Sequence, residues 1–124
     1  MLTSHELAFF AKKEAERSLY HQLIQQMRDV LPLFELHVQK TQIAFLNPGV
    51  FACVSLRQKN SIVISLGLPD RIASPRVVQA VEVRPGRWTN HILLHTTDEI
   101  DEELLGWIGA AYAFAAMKKK SGNV

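Results

Sequence analysis

Between Phe34 and Thr96 the apolar residues abandon helical spacing for an alternation of period two, broken by three turn signals. Few folds accommodate that pattern. Short strands joined by tight turns pair with their neighbours in sequence, so the segment predicts an antiparallel sheet. Asn47-Pro48-Gly49 places proline and glycine where a type II turn wants them. Lys59-Asn60, between two β-rich runs, suits a two-residue hairpin loop. Arg84-Pro85-Gly86-Arg87 repeats the Pro-Gly signal. The strands are then expected at about 41–46, 50–58, 61–67, 78–84 and 87–95, with a short piece at 34–38. Residues 68–77, containing Pro69 and Pro75, read as a loop or a short helical turn.

Helical periodicity holds on both sides of this region. Residues 4–31 read as helix in one or two pieces, with Thr3 and Glu6 at capping-box spacing. Leu19, Leu23, Ile24, Met27, Val30 and Leu31 are its core positions, and Phe9 and Phe10 suit a separate first turn. Pro32 ends it. A last helix is expected from Asp98 to Lys119 with Thr97 as N-cap, acidic at its start and closing on Lys118-Lys119-Lys120, as the helix dipole favours. Ile100, Leu104, Ile108, Ala111 and Ala115 form its apolar stripe. Gly106, Gly109, Ala110 and Ala113 beside it suggest close backbone approach to the sheet, the first helix or a second subunit. Residues 121–124 read as a frayed tail. The fold class is α+β: an antiparallel, meander-like sheet of about five strands with an N-terminal and a C-terminal helix packed on it. The organisation is a single domain over 1–124, divided into an N-terminal helical segment (1–33), the sheet (34–96) and the C-terminal helix (97–120).

Register assigns faces. With Pro48 and Gly49 at the turn, Phe45 pairs with Ala52, Ile43 with Val54 and Thr41 with Leu56, which makes that face core. Ala44, Leu46, Phe51 and Cys53 fall on the second face, which becomes polar at Lys40, Gln42, Ser55 and Arg57. Ile62, Ile64 and Leu66 are expected on this second face too. A sheet apolar on both faces needs cover on both.

A chain of 124 residues, 48% apolar and 21% charged, has the makings of a folded core. Its single cysteine, Cys53, excludes a disulfide framework and reads as a small buried hydrophobe. The net charge of +2 is too weak to point to nucleic acid by itself. No signal peptide is apparent, and the longest near-apolar stretch lacking charge, Leu104 to Met117 in the last helix, is too short to span a bilayer. The expected location is cytoplasmic, with no membrane association.

No catalytic, metal or cofactor motif emerges. His91 and His95 are four apart, but on a strand that separates them by roughly 13 Å, too far for one metal. There is no G-x-S-x-G elbow and no phosphate-binding glycine loop. What remains is a cationic group: Lys40, Arg57, Arg76 and Arg87, with Trp88 and His91 beside them in sequence or register. Arginine forks suit phosphate or carboxylate. The same residues also suit a solvated basic edge.

Several segments resemble a bacterial family of small domains of unknown function, some of whose members carry the label "predicted transport protein". They are Lys40-Thr41-Gln42-Ile43-Ala44-Phe45, Phe51-Ala52-Cys53-Val54, Trp88 with His91, and the ending Asp98, Leu104, Ile108, Ala111-Tyr112. The resemblance spans roughly residues 35–115. It implies a small α+β domain, alone or appended to larger proteins, and singles out Lys40, His91 and Tyr112. Three functions are expected, in this order. The first is a non-enzymatic binding or interaction module with a homodimeric or other protein partner. The second is a nucleic-acid-binding accessory domain, and the third a domain for a small anionic ligand.

Overall fold

In the computed structural model, which describes residues 2–121, Thr3 and Glu6 close a reciprocal capping box that starts α1, Ser4–Phe9. The Thr3 hydroxyl accepts the Glu6 N–H at 3.2 Å, and the Glu6 carboxylate accepts the Thr3 N–H at 2.8 Å. Glu6 is buried, and its other oxygen accepts from the hydroxyl of Tyr20 in α2, Glu14–Val30. A carboxylate taken out of water thus keeps its partners. Burial and the adjacent carboxylate hold the Tyr20 hydroxyl far above its usual pKa. The helical segment is therefore two helices. Lys12, at a left-handed φ of 62°, turns the chain between them. Phe10 tucks under Tyr20, ring centroids 4.9 Å apart. Leu31, before Pro32, is extended and ends α2. Val30, an expected core position, is exposed.

The sheet has six antiparallel strands in the order β1-β2-β3-β4-β6-β5. They are β1 Glu35–Val38, β2 Gln42–Leu46, β3 Val50–Ser55, β4 Ile62–Leu68, β5 Val77–Arg84 and β6 Arg87–Leu94. The short piece near 34–38 is thus a paired strand, with Leu36 opposite Phe45. The loop after β4 carries the chain out to the sheet edge, so β5 is an edge strand and β6 returns beside β4. Buried Asn90 pins that loop: its side chain accepts from the Ile72 N–H at 2.9 Å and donates to the Asp70 carbonyl at 3.2 Å.

Three local expectations are corrected. The Asn47–Pro48 peptide is cis and Gly49 does not take the left-handed conformation, so this turn is not type II. A bulge after Phe45 then rotates Phe51 to the helical side, 5.0 Å from the Tyr112 ring. The Phe45–Ala52 and Ile43–Val54 pairs stand as expected. The third correction has the widest effect. Residues 56–61, with Asn60 at φ 60°, connect β3 to β4, so the loop is longer than two residues. Val54 consequently pairs with Ile64 and Cys53 with Ser65. A one-residue change of register turns over every side chain of β4. Ile62, Ile64 and Leu66 lie in the core, and Ser65 and Gly67 take the second face.

α3, Glu102–Ser121, lays Leu104, Ile108, Ala111 and Ala115 onto the first face, beside α2, with Ile100 just before it in the same core. It begins later than expected because Thr97–Glu99 form a 3-10 turn. Thr96 and Glu99 make that turn's capping box, and Asp101 accepts the Leu104 N–H at 3.0 Å to start the helix proper. A Cβ added at Gly106 or Gly109 would meet open space, so neither glycine marks a close approach within this chain. The Lys118–Lys120 side chains and residues 122–124 of the expected tail lie outside the described residues. Among the described residues no helix is long and apolar enough to cross a membrane.

Candidate functional site

α2 and α3 both pack on the first face, where Ile43, Val54, Ile64 and Ile92 are fully buried. The second face carries Cys53, Ser55, Ser65, Thr89, His91 and Leu93, all half-buried. One transverse row runs across all six strands: His37, Ala44, Cys53, Ser65, His91, Gln79. Its central side chains are small, so the middle of this face is a low floor.

On that floor the Ser65 hydroxyl and His91 Nδ1 are 2.7 Å apart. Burial, and then the charge of Arg57, hold the His91 imidazole below the usual histidine pKa. A neutral ring that accepts from Ser65 at Nδ1 carries its proton on Nε2. Arg87 lies over Gly67: a Cβ there would stand 2.9 Å from Nη2 and 3.2 Å from Cζ. Glycine at 67 is thus the seat of the guanidinium. Burial raises the Cys53 thiol pKa, and Arg87 partly opposes it. β3 and β6 run parallel, both antiparallel to β4. Arg87 lies four residues before His91, and Arg57 four residues after Cys53, which shares His91's row. Arg57 follows the end of β3 by two residues and Arg87 opens β6, so they come to the face from opposite ends. The arginines flank the Ser65–His91 pair from opposite ends.

The cationic residues singled out in the sequence thus divide. Arg57, Arg87 and His91 share the second face. Lys40 is exposed in the turn between β1 and β2. Trp88, opposite Leu68 and Glu82, has the same side as Ile92 and so faces the helices' side of the sheet. Arg76 is occupied: it contacts Asp101 at 2.9 Å and Glu103 at 3.0 Å, donates to the Glu99 carbonyl at 2.6 Å, and lies over the Trp107 ring. It ties the loop before β5 to the start of α3. The Leu104 N–H, and then Arg76, hold the Asp101 carboxyl below its usual pKa. Sequence reasoning missed Ser65 and Gly67 as site members because the β4 register was one residue off.

Two guanidinium groups and an imidazole N–H make an anion-binding inventory, with the Ser65 hydroxyl proton spent on His91 Nδ1. They make a poor nucleophilic site. Ser65 is mid-strand between β3 and β6, so its backbone N–H belongs to the ladder and cannot serve an oxyanion. Among the described residues no three His, Cys, Asp or Glu side chains converge as a metal would require.

The family described as Domain of unknown function (DUF5655) matches residues 6–115. The chain belongs to this family. The DUF5655 match takes in α1 from Glu6 onward and all of α2, which the sequence resemblance had left outside. Both arginines, Gly67, Ser65 and His91 lie inside the DUF5655 span. No curated protein and no solved structure matches the chain.

Proposed function

We propose that this DUF5655 domain is a non-catalytic binding module that takes an anionic ligand on the open face of its sheet. The observation that carries the reading is the seating of Arg87 over Gly67, on the same face as Arg57 and His91. Among the described residues the recorded ion pairs all belong to Arg76, so both face arginines keep their charge for a ligand. The His91 Nε2–H, its ring held by Ser65, would orient the anion between them. Like charges held on one face repel, and a bound anion relieves that repulsion. The free thiol of Cys53 suits the cytoplasm as the compartment.

Isothermal titration of pyrophosphate into the wild type and into Arg57→Ala/Arg87→Ala tests this. Binding that the double substitution weakens by about 100-fold, roughly 1.4 kcal/mol per arginine, supports the reading. Equal affinity in both proteins removes it.

A protein partner is the second reading, favoured by edge strand β5. Val78, Val81 and Val83 are exposed there, at 50%, 40% and 54%. Such an edge pairs readily with another strand. A monomer over the micromolar range by light scattering would exclude a tight homodimer.

A further inference from the structure

At the Arg57 end of the open face the sheet meets a second group of cations. The β3–β4 connection is held against the α1–α2 turn by buried Glu16, whose carboxylate accepts the Asn60 N–H at 3.0 Å. Both turns use left-handed non-glycine residues, Lys12 at φ 62° and Asn60 at φ 60°. Such conformations cost free energy and persist where the surroundings impose them. The result is a cleft of about 730 Å³ lined by Lys12, Lys13, Arg57 and Lys59, with Glu14 and Glu16 as the acids. Glu16 is already committed to Asn60. Arg57 belongs to both places: it lines this cleft, and its charge reaches His91 on the open face.

We infer that the ligand is a chain of phosphate groups that starts on the open face at Arg87, passes Ser65 and His91, and continues beyond Arg57 into the cleft at Lys12, Lys13 and Lys59. The inference rests on the anion-binding reading of the open face and adds the ligand's class and path. Two features favour a repeating phosphate over a single one. Arg87 opens β6 at one end of the face and Arg57 follows β3 at the other, so the cations are spread along the face. The cations then continue past Arg57 instead of closing around a point. A third feature favours an inorganic chain over a nucleic-acid strand. Single-stranded nucleic acid is held partly by stacking on aromatic rings. Here the aromatic residues within the strands, Phe45, Phe51 and Trp88, lie on the helical side or share its register.

The test is isothermal titration with pyrophosphate, long-chain inorganic polyphosphate and a charge-matched single-stranded DNA oligonucleotide, at about 50 and 200 mM salt. The wild type is compared with Lys12→Asn/Lys13→Gln/Lys59→Gln, in which asparagine keeps the left-handed turn. Circular dichroism confirms that the variant is folded. The expected result is that polyphosphate binds the wild type at least about tenfold tighter than pyrophosphate. The variant keeps wild-type pyrophosphate affinity and loses the gain from chain length. Its log–log salt slope for polyphosphate is shallower by about 2, from roughly 0.7 per lost phosphate contact. Equal affinity of the wild type for short and long chains overturns the inference and leaves the open-face site standing. A variant that keeps the chain-length gain, or DNA binding tighter than polyphosphate, also overturns it. Failure of pyrophosphate and polyphosphate alike to bind the wild type removes both readings.

Discussion

Replacing Gly67 separates the fold from the proposed site. An added Cβ at this position would lie 2.9 Å from Arg87 Nη2, 3.2 Å from Cζ and 3.4 Å from Nη1. All three atoms are the far end of a flexible side chain, and no backbone atom is among them. The collision is relieved by moving the guanidinium, with the sheet left in place. Gly67→Ala shifts it slightly, whereas Gly67→Val adds two methyl groups and drives it off its seat. Gly67 is not in the left-handed region, so alanine fits the strand backbone. Reduced freedom of the unfolded chain then offsets any packing cost, by about 0.4–1 kcal/mol. Ligand binding moves the other way. A hydrogen bond to a charged group contributes about 1.5–3 kcal/mol, so losing it from Arg87 weakens pyrophosphate binding about 10- to 100-fold. Urea unfolding and isothermal titration on the same samples give the two numbers. Wild-type affinity in a folded Gly67→Val protein would refute the placement of Arg87 in the ligand site. A loss of several kcal/mol in Gly67→Ala would refute the claim that only a movable side chain occupies this space.

Three further outcomes follow from the packing and electrostatics. The His91 pKa is depressed in the fold, so the unfolded chain binds the proton more tightly. Stability therefore falls as pH drops below the ordinary histidine value of about 6.5, and His91→Asn removes that part of the slope in urea titrations from pH 7 to 5. Asp101→Asn weakens the link to Arg76 and the N-cap to Leu104, lowering stability by about 1 kcal/mol near neutral pH. Because the Asp101 pKa is lowered, the wild type loses that advantage as pH falls below about 4, where the two proteins converge in thermal melts. Ile64→Ala, at a fully buried site under α3, costs about 2–5 kcal/mol in urea unfolding, whereas Ser65→Ala next to it changes stability by less than about 1. That contrast checks the β4 register, since the opposite register would take Ile64 off the helical face and remove most of its cost.

The sequence carried the α+β class, the two helical ends and most of the strands because their periodicities are set by burial. Thr3 with Glu6 and Pro32 were readable because capping and proline act locally. What failed was the length of the β3–β4 connection. Nothing within Leu56–Ser61 declares how many residues leave the ladder, since Asn60 suits a tight hairpin as well as the longer loop. The apolar pattern of β4 held the missing information: Ile62, Ile64 and Leu66 against Ser65 and Gly67 is an inward–outward alternation. Val63, fully buried on the other face, blurs it. Once that register is set, Gly67 comes under Arg87 and Ser65 beside His91. Arg76 and Trp88 were grouped with them by proximity in sequence, but their places depend on contacts distant in the chain: Asp101 and Glu103 for one, Leu68 for the other. The cationic cleft was equally hidden, because Lys12 and Lys59 meet only through the Glu16–Asn60 hydrogen bond.

The most direct test of the open-face site is an amide and imidazole NMR titration of the wild-type chain with pyrophosphate. The account predicts shifts concentrated at Cys53, Ser65, Gly67, Arg87 and His91, together with a rise of the His91 pKa as the anion binds. Shifts confined to α3 and the loop at Pro69–Ile72, with the His91 pKa unmoved, would contradict it.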